Sequence, residues 1–349
     1  MKAIVYTEFG SPDVLRLEEV PRPEPKRDEI LIRVRASSVN FGDLIARSFR
    51  SVTPRGFYMP LLFWLMAKMT IGWRKPKCGI LGNELAGEVE AVGRGVTRFK
   101  PGDQVFGQAE RFGAYAEYIS LSEKAPVAHK PAGLSWEEAA VIPYGAIMAP
   151  ALLRRAKIRP GQRILINGAS GGIGSMAVQL AKNLGADVTA VCGAARLDYV
   201  RALGADRAID YADQDFTRNG ETYDVIFDIL GLLPFSRARR SLKPRGILLY
   251  ASFKTRHLLA MARTSLLGGR RVVCALSSGS LEDLLAVKAL VEAGKIKAIV
   301  DRRFPLEQAA EAHRYVETGQ RKGSVAIVTA PGAGARSWEG GQRQINWID

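Results

Sequence analysis

Residues 161–182 read GQRILINGASGGIGSMAVQLAK, and this stretch decides the fold. An apolar run at residues 163–167 predicts a strand, a glycine-rich turn follows it, and the residues after the turn have the apolar spacing of a helix. Glycines there let the backbone approach a pyrophosphate, and the helix N-terminus favours its negative charge. The residues predicted to contact a dinucleotide are Gly168, Ala169, Ser170, Gly171, Gly172, Ile173 and Gly174.

Outward from this turn, strand-like and helix-like segments alternate, which predicts a doubly wound parallel sheet of the Rossmann type. The helical part begins with Ser135 three residues before Glu138, the spacing of a capping box. Residues before 128 read instead as short strands separated by Gly, Pro and Asp, which predicts a β-barrel-type domain. The sequence from 297 returns to that style. We therefore expect an α/β protein with a first domain at 1–127 and 297–349 and a Rossmann domain at 128–296, with a flexible tail from about 331.

The end of the second Rossmann strand bears on the choice of nicotinamide cofactor. An NAD site usually carries an acidic residue there, which holds the ribose 2′-hydroxyl. This sequence has Cys192, Gly193 and two alanines, followed by Arg196. A guanidinium can bind a 2′-phosphate with charge-assisted hydrogen bonds, although Arg196 could equally be a solvent-facing helix residue. The missing acid favours NADPH.

Composition limits the other function classes. The formal net charge is +15 and the sequence pI is about 9.9, so nucleic acid has to be considered. The cations are dispersed, however, and no recognition-helix or zinc-finger pattern occurs, so no nucleic-acid partner is expected. The three cysteines lie far apart, which suits a reducing compartment. The N-terminus lacks a signal-peptide pattern, and the expected location is cytoplasmic.

Residues 56–73 read GFYMPLLFWLMAKMTIGW and fit neither domain pattern. Pro60 and Lys68 interrupt an apolar run that is too short to span a bilayer, which needs about 20 residues. The favoured interpretation is a buried helix, or a lid over a cleft. A peripheral membrane contact is the minority alternative.

Two sets of residues match the sequence signatures of a known family. The chain resembles the medium-chain dehydrogenase/reductase superfamily, and within it the zinc-independent quinone oxidoreductase, or zeta-crystallin-like, branch. The branch's signature matches Gly161, Gln162, Leu165, Ala169 to Gly172, Gly174, Gln179 and Lys182. The superfamily's first-domain signature matches Glu84 to Gly87, Val89, Val92, Gly93, Val96, Gly102, Asp103 and Val105.

The resemblance implies a GroES-like catalytic domain built from both ends of the chain, with the cofactor in the cleft beside the Rossmann domain. Arg196 falls where these enzymes often carry a Lys or Arg near the 2′-phosphate. Tyr211 matches a tyrosine of the adenosine pocket, whereas Gly193 departs from the Ser or Thr common at its position. A homodimer is also implied, with residues 271–276 as a plausible edge strand.

The metal ligands of the related alcohol dehydrogenases are not repeated in this sequence. Asn40 stands at the position of the first zinc ligand, and Asn83 stands at the position of the histidine. The histidines, His129, His257 and His313, do not cluster, and we interpret them as surface or packed residues. No zinc is expected.

Without a Lewis acid, conjugate addition of hydride to an enone or a quinone remains accessible. The sequence therefore predicts an NADPH-dependent reductase of such a small-molecule acceptor. Asn40 and Asp43 are candidates for the site beside the nicotinamide, and an Asx turn that shapes their loop is an equal alternative. Tyr144 and Tyr58 are candidate proton donors or pocket walls. The rival function is a nucleotide-binding, membrane-associated accessory protein with little turnover.

Overall fold

The structure is a computed structural model that describes residues 1–54, 56–57, 59–109, 111–277 and 279–329 of the 349-residue chain. The strands in these ranges are β1 (Lys2–Val5), β2 (Arg16–Glu19), β3 (Glu29–Val39), β4 (Glu84–Val92), β5 (Gln104–Gln108), β6 (Tyr118–Ser122), β7 (Val127–His129), β8 (Arg163–Asn167), β9 (Asp187–Cys192), β10 (Arg207–Asp210), β11 (Tyr223–Asp228), β12 (Leu242–Tyr250), β13 (Arg271–Cys274), β14 (Val300–Pro305) and β15 (Ser324–Val328). The α-helices are α1 (Phe41–Arg47), α2 (Leu61–Ile71), α3 (Trp136–Ala140), α4 (Pro143–Ala156), α5 (Gly172–Asn183), α6 (Leu197–Ala202), α7 (Phe235–Ala238), α8 (Thr255–Leu267), α9 (Leu281–Glu292) and α10 (Ala309–Glu317).

The second half of the chain forms a parallel sheet in the order β10-β9-β8-β11-β12-β13. The middle residues of β8, Ile164 to Ile166, are completely buried, as expected for a strand covered on both faces. The strand order reverses between β8 and β11. A crevice opens at such a switch point, outside the carboxyl ends of the strands, and dinucleotides bind there.

The first part of the chain forms a mixed sheet in the order β14-β15-β3-β4-β5-β7, with β6 also paired to β3. The long strand β3 lies antiparallel to both β4 and β15. The C-terminal strands therefore return to the sheet that the N-terminal strands begin. The predicted α/β fold, with a β-rich part from both ends of the chain and a Rossmann-type parallel sheet, is confirmed.

The connection between the two sheets begins with the predicted capping box. The Ser135 hydroxyl accepts a hydrogen bond from Glu138 N at 3.2 Å, and Ser135 N donates to the Glu138 carboxylate at 2.8 Å. The helical stretch is divided, because α3 ends at Ala140 and α4 begins at Pro143. Helix α3 packs on β3 and β4, although the division drawn from the sequence assigned it to the Rossmann half, and α4 packs on α5.

The glycine turn brings α5 close to the end of β8. Gly168 has a φ of +90°, which a residue with a side chain rarely adopts. A Cβ atom on Gly174 would lie 2.2 Å from the Gly168 carbonyl oxygen, which is a severe clash. The helix can start this near the strand only because both positions are glycine.

Residues 61–71 form α2. The expectation of a buried helix is wrong, and the alternative of a lid over a cleft stays a prediction. Leu62 is 65% exposed and Met69 is 61% exposed, whereas Lys68 is buried. The apolar residues are spread around the helix, so packing one side leaves the others in water. Among the residues that the structure describes, no helix combines the length and hydropathy that a membrane-spanning segment needs.

Candidate active site

The glycine turn between β8 and α5 is held by backbone hydrogen bonds. The N–H groups of Gly168 and Ala169 both donate to the Val191 carbonyl at 3.1 Å, and Gly171 is the residue that precedes the first turn of α5. The first N–H groups of a helix have no partner within it. The predicted phosphate-binding residues therefore include backbone N–H groups at the N-terminus of a helix, which attract an anion.

Gly193, Arg196 and Tyr211 come together at the end of β9. A Cβ atom on Gly193 would lie 3.0 Å from an Arg196 guanidinium nitrogen and 3.4 Å from the Tyr211 hydroxyl. Glycine at this position thus leaves room for both side chains. The Arg196 Nε atom is buried and makes no hydrogen bond. A buried donor without a partner is costly, so it is suited to an anionic ligand.

A second guanidinium, that of Arg321, belongs to the segment before β15 and acts electrostatically on this region. No local pattern in the sequence singled it out. Burial lowers the pKa of Arg321, and the nearby positive charge of Arg196 lowers it further. The Arg321 charge also acts on the carboxylate of Glu84, whose pKa it lowers. The positive charge of Arg321 therefore acts on both Arg196 and Glu84, and it adds to the attraction of this region for an anion.

A cavity of about 260 Å³ lies against the carboxyl ends of the parallel strands. Asn167 at the end of β8, Val191 in β9 and Tyr211 after β10 contribute to its wall. Its position is the switch point of the sheet, where an adenosine is expected in this architecture.

Asn40 has a structural role and also faces the cleft's polar centre. As the N-cap of α1, its side-chain oxygen accepts hydrogen bonds from Gly42 N at 2.8 Å and Asp43 N at 3.4 Å. Its amide nitrogen donates to the side-chain oxygen of Asn83 and, at 3.3 Å, to Glu84. The loop-shaping alternative is therefore observed, and both amide N–H groups of Asn40 are used within the polar centre.

Glu84 lies at the centre of this polar cluster, and sequence reasoning did not select it as a site residue. Its carboxylate accepts hydrogen bonds from the Ser38 hydroxyl, from Asn40 and, at 2.6 Å, from Tyr144 N. Burial raises the pKa of Glu84, and these donors oppose the rise. The sequence signal was a charged residue opening an otherwise apolar strand in LGNELAG.

Asp43 is completely buried and does not line the open cleft. One carboxylate oxygen accepts from Asn40 N at 3.0 Å, and the other accepts from Gly82 N at 2.9 Å. Burial raises its pKa to about 7, although both N–H groups oppose the rise. The observed contacts make Asp43 a group that positions Asn40 and the segment before β4.

Tyr144 lies between the two halves of the site, in the first turn of α4. A Cβ atom on Gly172 of the glycine turn would lie 3.5 Å from its ring. Burial, followed by the nearby charges of Glu84 and Asp43, raises its pKa to about 12. The phenol is therefore neutral at physiological pH and retains a proton to donate. Tyr58 lies outside the described residues.

Comparisons with known proteins fit this arrangement. A model described as the alcohol dehydrogenase GroES-like domain matches residues 26–132, and one described as a zinc-binding dehydrogenase matches residues 203–327. The chain is 32% identical to 2-methylene-furan-3-one reductase of Solanum lycopersicum, covering 95% of this chain and 80% of that protein. It is also 32% identical to the chloroplastic quinone-oxidoreductase QR1 of Triphysaria versicolor, covering 94% and 98%.

The chain belongs to the medium-chain dehydrogenase/reductase superfamily, in its quinone oxidoreductase branch. Solved structures agree with this assignment. The quinone oxidoreductase of Coxiella burnetii has a TM-score of 0.78 at 28% identity, covering 95% of this chain and 99% of that one. The Escherichia coli quinone oxidoreductase, solved in complex with NADPH, has a TM-score of 0.76 at 25% identity, covering 94% and 100%.

The two residues that the resemblance places at the zinc-ligand positions of related alcohol dehydrogenases form an amide pair. Asn40 and Asn83 bind each other through their side chains, and neither is a usual zinc ligand. His257 is stacked on Tyr250 and His313 is buried between Arg47 and Tyr115, while His129 is exposed. In the described ranges, no group of three or more His, Cys, Asp or Glu is arranged to hold a metal ion.

The buried carboxyl of Asp43 predicts a pH-dependent stability. Its pKa is higher in the folded protein than in the unfolded chain, so folding favours its protonated form, and the free energy of unfolding falls as pH rises from about 4 to about 7. The Asp43 contribution to this fall is up to about 4 kcal/mol. We expect Asp43→Asn to remove that part of the slope in urea unfolding measured across this pH range. Exposed Asp198→Asn is the matched control, and an unchanged slope in Asp43→Asn would contradict the assignment.

Proposed function

We propose that this chain is a reductase that transfers hydride from NADPH to a quinone or an α,β-unsaturated carbonyl compound without zinc. The observation that carries the proposal is the Asn40–Asn83 amide pair, which the resemblance places at the metal position and which Glu84 and Tyr144 link to the glycine turn. Such a pair offers hydrogen-bond donors and no Lewis acid.

The residues along the cleft suit each part of NADPH. The turn from Gly168 to Gly174 would hold the pyrophosphate, Tyr211 the adenosine, and Arg196 with Arg321 the 2′-phosphate. The Arg196 Nε atom, buried without a hydrogen bond, is the structural feature that fits this phosphate. When bound, the cofactor supplies the hydride.

The protein's own contribution to the reaction is orientation and hydrogen bonding. Hydride addition to a conjugated acceptor moves negative charge onto its oxygen, and a fixed donor near that oxygen stabilises the charge. We propose the Tyr144 hydroxyl and the Asn83 amide nitrogen as these donors, with Asn40 orienting the Asn83 side chain. Asp43 and Glu84 hold Asn40 in place, because both accept hydrogen bonds from it.

The names of related proteins support the same acceptor class. The relatives include the reductase of a methylene-furanone, the chloroplastic NADPH-dependent alkenal/one oxidoreductase of Arabidopsis thaliana at 31% identity, and several quinone oxidoreductases. A quinone and an enone share one chemical feature, which is a carbon–carbon double bond conjugated to a carbonyl group. That shared feature is the acceptor we propose here.

The direct test is NADPH oxidation against a benzoquinone, a naphthoquinone, an alkenal and a saturated ketone, with a chelator present and with NADH in parallel. We expect turnover of the conjugated acceptors, no turnover of the saturated ketone, and no effect of the chelator. Tight NADPH binding without turnover of any acceptor would instead indicate an accessory protein.

Arg196 predicts the preference for NADPH. A hydrogen bond to a charged group contributes about 1.5–3 kcal/mol, so we expect Arg196→Ala to raise the KM for NADPH by about tenfold or more and to leave the KM for NADH nearly unchanged. Arg201→Ala, five residues along the chain, is the control, because Arg201 pairs with Asp198 on the surface. Equal losses with the two cofactors would contradict the role of Arg196.

We further propose that the protein is a cytoplasmic homodimer. In each subunit, residues 1–127 and 297–349 form the catalytic domain, and residues 128–296 form the Rossmann domain. Strand β13 supports the dimer, because it is the outer strand of the parallel sheet and its free edge can pair with a second copy. Sedimentation equilibrium is expected to give twice the mass of 38.1 kDa, and a monomer mass at micromolar concentration would refute the dimer.

A further inference from the structure

Helix α2 has its charged residue inside and its apolar residues outside. Lys68 is only 7% exposed, and its ammonium group lies 5.1 Å from the ring centre of Phe49 and 5.3 Å from that of Trp64. Leu61, Leu62, Leu65, Met66 and Met69 are exposed on the same helix. A helix packed for contact with water alone has the opposite arrangement.

Contacts with neighbouring residues hold α2 in a fixed position. The Trp64 indole N–H donates to the Val52 carbonyl at 2.9 Å, and the Lys77 ammonium donates to the Met69 carbonyl at 2.6 Å. Ile71 packs against the core beneath the mixed sheet. The outward apolar face is therefore an ordered part of the fold.

The chain segment that contains this helix carries charges of a single sign. Residues 44–83 contain seven Lys or Arg and no Asp or Glu. The cations are Arg47, Arg50, Arg55, Lys68, Arg74, Lys75 and Lys77. Arg74, Lys75 and Lys77 are exposed and follow directly after Trp73, which is 60% exposed.

This combination matches the chemistry of a membrane surface. Tryptophan is favoured at the boundary between lipid headgroups and acyl chains, and exposed Lys and Arg are attracted to anionic headgroups. Apolar side chains of an interfacial helix enter the outer part of the acyl region. A second copy of this chain is a poorer occupant, because the same cations would face each other.

We propose that the outer face of α2, together with Trp73, Arg74, Lys75 and Lys77, binds the surface of an anionic phospholipid bilayer. We refer to these residues as the α2 surface. The helix lies in the plane of the membrane, with Leu62, Met66 and Met69 inserted and the cations among the headgroups. The proposal concerns binding alone and does not depend on the acceptor that the active site reduces.

The test is co-sedimentation of the full chain with vesicles of phosphatidylglycerol and phosphatidylcholine in equal parts, and with vesicles of phosphatidylcholine alone. We expect the protein to pellet with the anionic vesicles, and the bound fraction to fall as salt is raised. The neutral vesicles are expected to bind at least several-fold less. A wild-type protein that stays in the supernatant with both vesicle types would overturn the proposal.

Two double variants distinguish binding by the α2 surface from nonspecific binding by exposed apolar residues. Leu62→Gln with Met66→Gln is expected to lower the partition coefficient about tenfold or more, because both inserted side chains become polar. Leu184→Gln with Leu285→Gln is the matched control, since these leucines are also exposed, at 46% and 45%, but lie on the Rossmann half. Equal binding by the two double variants would contradict the proposal.

Arg74→Gln with Lys75→Gln provides an independent variant that leaves the apolar face intact. We expect it to reduce binding to the anionic vesicles several-fold and to leave binding to the neutral vesicles unchanged. Thermal melts followed by circular dichroism check that every variant is folded. A change in sedimentation coefficient of the lipid-free Leu62→Gln, Met66→Gln protein would instead identify the face as a contact between protein copies and refute lipid binding.

Discussion

The hydrogen bonds of the Glu84 carboxylate connect the two halves of the molecule at the site. Glu84 begins β4 of the mixed sheet, and it accepts from the backbone N–H of Tyr144 at the start of α4. Because α4 packs on α5, this contact relates the mixed sheet to the glycine turn. Removing one of its three donors would leave a buried carboxylate oxygen with an unmet hydrogen bond, which costs about 1–3 kcal/mol.

At the polar centre, an amide pair stands where the resemblance places the zinc ligands of related enzymes. Asn40 is fixed twice, because its side-chain oxygen caps α1 and its backbone N–H donates to Asp43. The remaining amide nitrogen then binds Asn83 and Glu84. Short-range hydrogen bonds set the geometry of these side chains. That arrangement suits acceptors whose carbonyl is activated by conjugation.

The sequence predicted the parts of the site that are local in the chain. The glycine turn, the missing acid after β9 and the approach of Arg196 to Gly193 each involve residues only a few positions apart in the chain. Glu84 and Arg321 were missed because their partners are distant in sequence, and no periodic pattern reveals such contacts. The burial of α2 was predicted wrongly for a related reason. An apolar run indicates a helix, but it does not tell which side of that helix meets protein.

The central claim is that hydride passes directly to the conjugated carbon of the acceptor. It is tested most directly with NADPH that carries deuterium at the transferable position of the nicotinamide ring and with an α,β-unsaturated aldehyde as acceptor. Mass spectrometry and NMR of the product then locate the label. The account predicts one deuterium at the β-carbon and an intact carbonyl group. Deuterium at the carbonyl carbon, with the double bond retained, would contradict it.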